Sequence, residues 1–531
     1  MRRRTFLGRT FGWAVAGLSA APILDACTGA ATASPVPGSS AERSASASPG
    51  IVIPPPTTWA ALEARLTGRL IRPGSTAYPH ARLEYDPRFD DIKPKGIVMA
   101  ANASDVATSI AFARDRGIPF AARCGGHSYG GYSVCEGLVI DLSDMSHVRP
   151  HPDGTASVGA GATLIQVSGG LAPAGVMVPG GTCGSVGISG LTMGGGQGVT
   201  GRRFGLTCDS LIGATVVTAD GRTIRCDDST DADLFWALRG GGGGNFGVVT
   251  SFRFKTHSLD RITLFNLSWS WSAAADVLDA WQRWAPTAAH ELWSSCRVRW
   301  TPSTGASISV GGAWTGAPSS LVTVLGRFIG DVGRAPTSRT TTTMAYLDAA
   351  LSLAGCGGKR VSQCRLTTKS PPGVLTRQAS LARSDFFDHP MSASVRDAAL
   401  GHIEARGGHP ALAGQAGGML LDAWGGAIAG VAHAATAIPH RKAAFLAQEF
   451  VTFPSVPSDE SVSANEAWLG RLRRKLRPAV SGFAYVNYID PALRHWQDAY
   501  YGTNLARLVD VKRRYDPDDA FVFAQSIPTH L

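Results

Sequence analysis

Two glycine-rich stretches decide the fold: CGGHSYGGYS at residues 124–133 and GGTCGSVGISG at residues 180–190, with GGGQG following at residues 194–198. A third cluster, five consecutive glycines, occupies residues 240–244. Glycine adopts positive φ and lets backbone N–H groups approach a ligand closely. Successive N–H groups of this kind form concave sites for anions such as a pyrophosphate. One Gly-Gly pair is usually an ordinary turn, but three clusters in one region indicate a ligand site.

Short apolar strands alternate with helices around these clusters, which predicts a region of mixed helix and strand over residues 95–258. The predicted strands cover residues 96–101, 118–123, 138–142, 156–158, 211–219 and 248–254, and the predicted helices cover residues 104–116, 163–171 and 232–238.

Two shorter sequence matches suggest a dinucleotide-binding site and a serine hydrolase, but the helices and strands predicted around them exclude both. GGGNFG at residues 242–247 matches the dinucleotide fingerprint G-x-G-x-x-G, which needs a strand before it and a helix after it. Here the predicted helix precedes the glycines and the predicted strand follows them. GHSYG at residues 126–130 matches the G-x-S-x-G turn of serine hydrolases, which also needs a following helix. A strand follows instead.

Composition limits the remaining classes. A chain of 531 residues is expected to hold two or three folding units, and 44% hydrophobic with 17% charged residues is typical of a globular protein. The formal charge is +10, but the basic residues are scattered, so no nucleic-acid partner is expected. The densest basic run, residues 471–477, contains Leu472 and Leu476 at i and i+4, which predicts the solvated face of an amphipathic helix.

The N-terminus is similar to a twin-arginine export signal, because RRTFL at residues 3–7 precedes an apolar run at residues 12–26. That run is too short and too interrupted for a stable membrane span. Cys27 follows a sequence resembling a lipoprotein processing box, which allows a lipid anchor there; a cleavage site without lipid at residues 31–33 is the alternative. We therefore assign residues 1–33 to a signal peptide and residues 34–56 to a Ser-, Ala- and Pro-rich linker.

The nine cysteines lack the spacing of a metal site, and none is predicted. Export to an oxidising compartment permits disulfides. Cys356 and Cys364 are the best candidate pair, and because seven cysteines remain once Cys27 and Cys183 are set aside, at least one thiol stays unpaired.

A family resemblance covers about residues 57–531. Residues 123–133 resemble the R-x-G-G-H-S-x-x-G-x-S loop of the vanillyl-alcohol-oxidase-type, or PCMH-type, FAD-binding fold. Residues 181–198 are similar to the second signature of its berberine-bridge-enzyme-like branch, and YVNYID at residues 485–490 with YYGTN at residues 500–504 agree with it. The resemblance implies an α+β fold: a two-subdomain FAD-binding domain and a substrate domain whose antiparallel sheet is covered by helices.

The same resemblance implies three segments. Residues 57–258 form the FAD-binding domain, residues 259–484 form the substrate domain, and residues 485–531 return to the FAD-binding domain. Several tryptophans of the middle segment fall on or near strands, where they either stack on a substrate ring or, more commonly, pack in the core.

The resemblance further implies FAD attached twice, through His127 to the flavin 8α carbon and through Cys183 to flavin C6. Two such bonds are expected to raise the reduction potential of the flavin and to open its ring edge to a large substrate. In the plant relatives the position matching Val186 faces the flavin where dioxygen reacts, and valine there goes with good oxygen reactivity, which favours an oxidase over a dehydrogenase. The cofactor-binding set implied by the two signatures and their flanks is His127, Cys183, Arg123, Gly125, Gly126, Ser128, Gly130, Gly181, Thr182, Gly184, Val186, Gly187, Gly190, Gly195, Gly198, Gly247, Val248 and Asn504.

Three catalytic residues are implied in the same way. Tyr488 matches the general base, Asp422 the carboxylate that some sugar-oxidising relatives place beside it, and Tyr129 an aromatic residue on the substrate side of the flavin. A free tyrosine has a pKa near 10, so a base at neutral pH needs assistance. Gln197 departs from the pattern, because several relatives have a tyrosine there that pairs with the base.

The function implied is that of a secreted FAD-dependent oxidase. Its predicted reaction takes a hydride from an alcohol carbon, the anomeric C1–OH of a mono- or oligosaccharide, and gives a lactone, with O2 reduced to H2O2. Oxidation or oxidative cyclisation of a secondary metabolite, a dehydrogenase with another electron acceptor, and a carbohydrate-binding protein without catalysis are the alternatives. The retained His127, Cys183 and Tyr488 argue against the last of these.

Overall fold

A four-stranded sheet places the first glycine loop at the end of one of its strands. The computed structural model describes residues 54–531 of the chain. The sheet comprises β1 (Arg69–Ile71), β2 (Gly96–Met99), β3 (Phe120–Arg123) and β4 (Leu138–Asp141), with helices α1 (Trp59–Glu63), α2 (Tyr78–Ala81) and α3 (Ala103–Asp115). The spatial order is β1-β2-β4-β3, in which the last three strands run parallel. The His127 loop leaves the carboxyl end of β3, where parallel sheets commonly bind ligands.

A second, antiparallel sheet carries the other two glycine clusters in its connections. Its strands are β5 (Val148–Pro150), β6 (Thr155–Gly159), β8 (Leu211–Val217), β9 (Thr223–Cys226) and β10 (Val248–Lys255), in the order β5-β6-β10-β8-β9, with a two-stranded ribbon of β7 (Val176–Met177) and β11 (His257–Ser258) beside them. Its helices are α4 (Leu164–Leu171), α5 (Ile188–Met193), α6 (Gly201–Phe204) and α7 (Ala232–Ala237). The five glycines lie after α7 and before β10, so the predicted order of helix, glycines and strand is confirmed.

The third sheet has seven antiparallel strands, in the order β15-β12-β14-β13-β17-β18-β16. The strands are β12 (Arg261–Trp269), β13 (Leu292–Thr301), β14 (Gly305–Trp314), β15 (Ser338–Ala345), β16 (Ala379–Phe387), β17 (Ala416–Ala423) and β18 (Phe445–Phe453). The helices between them are α8 (Ala274–Thr287), α9 (Pro318–Val332), α10 (Tyr346–Leu353), α11 (Ala393–Glu404), α12 (Ala427–Gly430) and α13 (Asp459–Leu476). The predicted α+β class, with an antiparallel sheet covered by helices, is confirmed.

The two faces of this large sheet differ, because successive strand residues point to opposite sides. On β13, Cys296, Val298 and Trp300 join the core formed with the covering helices. Trp269 and Trp314 lie in the same core, so packing, and not stacking on a substrate, explains these tryptophans. We therefore expect functional side chains on the other face of this sheet, which the helices do not cover.

The C-terminal segment packs back into the core of the first two sheets. Its helices are α14 (Trp496–Tyr501) and α15 (Leu505–Tyr515). Leu508, Tyr515 and Ile527 share one hydrophobic cluster with Val98 of β2 and Phe252 of β10. Residues 56–531 form one compact unit, so the predicted boundary between residues 258 and 259 stays a prediction.

Two smaller predictions are confirmed. Cys356 and Cys364 form a disulfide, while the other described cysteines carry free thiols. The basic run at residues 471–477 begins inside α13, where Leu472 and Leu476 are buried. Among the described residues, no helix has the length and apolar character needed to cross a membrane. The export signal, the Cys27 anchor and all but the last residues of the linker lie outside the described part of the chain.

Lys512 should be essential for the C-terminal segment. Its fully buried Nζ donates to Asp516 at 2.6 Å and to the carbonyls of Asn245 and Phe521 at 3.0 and 2.8 Å. Lys512→Met leaves these groups unpaired. We therefore expect the free energy of unfolding to fall by about 3–5 kcal/mol, and the melting temperature measured by circular dichroism to be clearly lower. The exposed neighbour Arg513→Met is the control; an equal loss in both variants would contradict this role.

Candidate active site

The two signature loops touch backbone to backbone. A Cβ atom on Gly125 would overlap the backbone of Gly187, and one on Gly187 would overlap Cys124 and the backbone of Gly125. Only glycine therefore fits at this crossing. The contact brings His127, two residues after Gly125, next to the loop that carries Cys183.

His127 is fixed on two sides. Its Nε2 is hydrogen bonded to Ser185 Oγ at 2.9 Å, and its ring stacks on Tyr85, with centroids 3.8 Å apart and planes 18° from parallel. Tyr85 is itself held because its backbone N–H donates to the carbonyl of Gly126 at 2.9 Å. Burial, with a contribution from Lys369, lowers the pKa of His127 to about 3, so the ring is neutral. A neutral imidazole keeps one nitrogen lone pair available as a nucleophile.

Cys183 lies on the loop that His127 contacts through Ser185. Its thiol is half-buried and unpaired, and burial raises its pKa. Negative charge on Cys183 in turn raises the pKa of Tyr85, Tyr129 and Tyr488, each of which is first raised by burial. Ser185, two residues after Cys183, is hydrogen bonded to His127, and Tyr129, two residues after His127, lies edge-on to Tyr488.

The two tyrosines of the YVNY segment have different roles. The hydroxyl oxygen of Tyr485 accepts hydrogen bonds from the backbone N–H groups of Gly196 and Gln197, at 2.9 and 3.1 Å, and from Asn487 Nδ2 at 3.1 Å. The hydroxyl of Tyr488 has no such partner among the described residues, and its ring packs edge-on against Tyr485 with centroids 5.2 Å apart. Tyr485 is thus a structural residue, whereas Tyr488 keeps its hydroxyl for other contacts.

Asp422 lies beside Tyr488 on the open face of the large sheet. Its Oδ2 accepts a hydrogen bond from Gln197 Nε2 at 2.9 Å, and Ser295 on the neighbouring strand also bonds to it. Burial raises the pKa of Asp422 in spite of these bonds and of Arg297. Gln197, the residue that departs from the family pattern, therefore contacts the carboxylate.

Tyr129 completes this group. Its ring lies edge-on to Tyr488 with centroids 6.1 Å apart, and its hydroxyl accepts a hydrogen bond from Gln448 Nε2 at 2.9 Å. Burial, with the charge of Cys183, raises its pKa to about 12, so it stays protonated at neutral pH. Tyr129 can orient a substrate but is a poor base.

A cluster of charged side chains fixes the segment that carries Tyr485 and Tyr488. Asp490, two residues after Tyr488, lies 3.5 Å from Arg383 and 3.6 Å from Arg473. Its backbone N–H donates to Tyr500 at 2.9 Å. Because Arg383 belongs to β16 and Arg473 to α13, the cluster ties the C-terminal segment to the substrate sheet.

Two of the predicted cofactor-binding residues, Arg123 and Asn504, bond to protein groups around the site. Arg123 is buried in ion pairs with Asp141 at 2.7 Å and Glu84 at 3.3 Å, below the His127 loop. The amide nitrogen of Asn504 donates to the carbonyls of His433, Thr436 and Ala437 at 3.2–3.3 Å. A direct contact between either residue and FAD stays a prediction.

The remaining predicted residues line or brace the loops. Ser128 Oγ accepts a hydrogen bond from the backbone of Tyr132 at 3.2 Å, and a Cβ on Gly184 would contact the disulfide sulfur of Cys364. The others lie in the loops or in the helix and strand that adjoin them, and their contact with the cofactor stays a prediction: Gly126, Gly130, Gly181, Thr182, Val186, Gly190, Gly195, Gly198, Gly247 and Val248.

Sequence reasoning missed three residues that the structure brings into the site. Tyr85 stacks on His127, Ser185 bonds to it, and Gln448 bonds to Tyr129. Only Gln448 leaves a signal, since a Gln-Glu pair interrupts the otherwise apolar strand β18. No described group of His, Cys, Asp and Glu side chains could hold a metal ion.

Comparisons with known proteins agree with this geometry. The family model described as "FAD binding domain" matches residues 94–227, and the one described as "Berberine and berberine like" matches residues 484–528. The uncharacterized FAD-linked oxidoreductase YgaK of Bacillus subtilis is 34% identical over 477 residues, which cover 87% of this chain and 97% of YgaK.

Two solved structures have the same architecture. Physcomitrella patens BBE-like 1 matches with a TM-score of 0.80 and 27% identity, over 90% of this chain and all of the other. Glucooligosaccharide oxidase from Acremonium strictum, described with a 6-S-cysteinyl, 8α-N1-histidyl FAD, matches with a TM-score of 0.76 and 25% identity, over 88% of this chain and 99% of its own. The chain therefore belongs to the FAD-linked oxidoreductases of the berberine-bridge-enzyme-like family.

Proposed function

We propose that this protein is an exported oxidase that carries FAD on His127 and Cys183 and oxidises an alcohol carbon of its substrate, with O2 as the acceptor and H2O2 as the product. The observation that carries the proposal is the contact of the His127 loop both with the Cys183 loop, through the hydrogen bond of His127 to Ser185, and with Tyr488, through the ring of Tyr129. The proposed substrate is a mono- or oligosaccharide oxidised at the anomeric carbon to a lactone. The sugar-oxidising relative among the matched structures supports this choice.

The residues present fit a flavin nucleotide. The unpaired thiol of Cys183 and the neutral ring of His127 supply two nucleophiles. Two neighbouring glycines leave room beside the backbone: a Cβ on Gly190 would have no neighbour within 4 Å, and one on Gly243 would make only ordinary contacts. Exposed backbone edges of this kind suit the pyrophosphate of FAD. The buried side-chain oxygen Oε1 of Gln197 also lacks a hydrogen-bond partner among the described residues.

Tyr488 and Asp422 account for the proton of the substrate hydroxyl. Bound FAD supplies the two-electron acceptor for the hydride. Burial and the charge of Asp422 raise the pKa of Tyr488 well above its usual value, so a free tyrosinate is disfavoured. Tyr488 can still take the hydroxyl proton if it passes its own proton to Asp422, whose raised pKa favours acceptance. Gln197 holds the carboxylate in place for this transfer.

Flavin attachment gives the first prediction of this proposal. Yellow colour should stay with the polypeptide after acid precipitation of the wild type, of His127→Ala and of Cys183→Ala, and should be released only from the double variant. Mass spectrometry of flavin peptides checks which residue is modified. Cys135→Ser, which alters another unpaired thiol, is the control. Release of all pigment from the wild type would contradict double attachment.

Removal of the Tyr488 hydroxyl tests the catalytic role. Tyr488→Phe should lower kcat for peroxide release by about 10²–10⁴-fold, since a general base contributes that much. The substrate is found first with a panel of mono- and oligosaccharides. Flavin content and melting temperature should stay near the wild-type values, because this hydroxyl makes no hydrogen bond in the described structure.

Tyr485→Phe is the matched comparison. It removes the acceptor of two buried backbone N–H groups, so we expect a loss of about 1–3 kcal/mol in stability. Full peroxide release by Tyr488→Phe would exclude Tyr488 as the base. A colourless wild-type protein would exclude the oxidase altogether.

A further inference from the structure

Two neighbours hold the imidazole of His127 in one orientation. Tyr85 stacks on it with centroids 3.8 Å apart and planes 18° from parallel, and Nε2 is hydrogen bonded to Ser185 Oγ at 2.9 Å. Stacking fixes the plane of the ring, but a half-turn of the ring about its bond to Cβ keeps that plane and exchanges the two edges. The hydrogen bond to Ser185 therefore decides which edge faces the Cys183 loop, and so fixes the position of Nδ1.

The two ring nitrogens of His127 are in different situations. Nε2 is occupied by Ser185, whereas Nδ1 has no hydrogen-bond partner among the described residues. Nδ1 is not fully enclosed either, because in the described part of the chain the buried side-chain nitrogens without a partner all belong to other residues. Nδ1 is therefore the nitrogen that borders space left free by the described residues.

Ser185 is held by its backbone and keeps its hydroxyl for His127. The residue is buried, and a Cβ on Gly125 would lie 2.7 Å from its carbonyl oxygen, so its backbone forms part of the crossing of the two loops. Its Oγ has no other hydrogen-bond partner among the described residues. A hydroxyl can both donate and accept, so Ser185 can bond to Nε2 whether or not that nitrogen carries a proton.

The hydrogen bond also bears on which nitrogen carries the proton. Because burial lowers the pKa of His127 to about 3, the ring is neutral and has one proton on one of its nitrogens. A proton on Nε2 is donated to Ser185 Oγ. A proton on Nδ1 would lack an acceptor among the described residues once a bound ligand excludes water from that side. The contacts therefore favour the form with a lone pair on Nδ1.

We propose that Ser185 is a positioning residue for flavin attachment: it keeps the His127 proton on Nε2 and directs Nδ1, with its lone pair, at the 8α carbon. The proposal rests on the proposed function, because it requires FAD to be bonded to His127. It deepens that function by naming the nitrogen that reacts and the side chain that selects it.

Ser185 also stabilises the charge that develops on the ring. While Nδ1 bonds to carbon, the imidazole becomes positively charged and its Nε2–H becomes a stronger donor. The hydrogen bond to Oγ is then charge-assisted and strengthens as the reaction proceeds. An interaction that is stronger in the transition state than before it accelerates the step, so the hydroxyl should affect the rate of attachment.

The attachment balances as a two-electron oxidation by O2. A bond forms between Nδ1 of His127 and the 8α carbon, while one C–H bond of that carbon and the Nε2–H bond break. The two protons leave to solvent, the two electrons pass to O2, and together they give one H2O2 for each bond formed. Once Nε2 has lost its proton, the Ser185 hydroxyl can turn and donate to it.

Attachment at His127 can be measured alone in a Cys183→Ala background, where it is the only covalent link. The purified protein is kept in air and sampled over time, acid precipitation separates bonded from released pigment, and mass spectrometry identifies the flavin peptide. Ser185→Ala should slow formation of the His127 bond about ten- to a hundredfold, because a charge-assisted hydrogen bond is lost. With Cys183 present, freshly expressed Ser185→Ala should carry FAD mainly through Cys183.

Two serine variants separate positioning from general damage to the loop. Ser185→Thr keeps the hydroxyl and should restore most of the rate. Ser189→Ala is the matched control, because it removes another buried hydroxyl of the same segment, one that donates to the carbonyl of Ala160 and not to His127. Its rate of attachment should equal that of the Cys183→Ala protein alone.

Two further measurements test the chemistry itself. NMR of the isolated histidyl flavin from the wild type should show the bond at Nδ1. Peroxide measured in the absence of substrate should rise by one H2O2 for each His127 bond that forms in air. A bond at Nε2, or attachment in air without peroxide, overturns the proposal.

An unchanged rate in Ser185→Ala overturns the proposal, and so does a Ser185→Thr protein no faster than Ser185→Ala. An equal loss in Ser189→Ala indicates damage to the segment and overturns a specific role as well. If the Cys183→Ala protein never bonds flavin at His127, double attachment fails together with this proposal. If His127 is bonded equally fast with and without the Ser185 hydroxyl, double attachment stands and only this proposal fails.

Discussion

The structure depends on one close approach: the backbones of Gly125 and Gly187 cross without space for a side chain. This contact joins a loop from a parallel sheet to a loop from an antiparallel sheet, and it brings a histidine and a cysteine from distant parts of the sequence into one pocket. A larger residue at either glycine would separate the loops. His127 and Cys183 would then no longer lie on loops that are in contact, even though neither residue had been changed.

A second constraint brings the base to this pocket. Tyr485 N–H donates to Ser384 on β16 at 2.9 Å, and the Tyr485 hydroxyl accepts from the glycine run of the first domain. One residue thus connects the substrate sheet, the C-terminal segment and the cofactor loops. Tyr488 follows three residues later, so its ring is placed by contacts that its own hydroxyl does not make. Tyr485 fixes the position of the segment, whereas Tyr488 keeps its hydroxyl for the reaction.

Much of this was accessible from the sequence, and the limits have physical causes. Glycine spacing and motif order predicted the fold and the two loops, because a missing side chain is a strong steric signal. The disulfide followed from its loop context. The family resemblance selected Tyr488 as the base, but the backbone N–H groups of Gly196 and Gln197 that hold the Tyr485 hydroxyl were not predictable, because they lie almost 290 residues away. The stacking of Tyr85 on His127 is equally non-local. The face of the sheet on which Asp422 lies required the register of β17 with β13, which short apolar patterns leave open.

The return of the C-terminal segment has a consequence for biosynthesis. Residues that complete the first hydrophobic core, among them Leu508, Tyr515 and Ile527, are translated long after strands β2 and β10, which they cover. While they remain inside the ribosome, strands β2 and β10 lack part of their covering and Tyr488 has no fixed place. The nascent chain can therefore form its loops early, but it can close around a cofactor only after these C-terminal core residues have emerged from the ribosome.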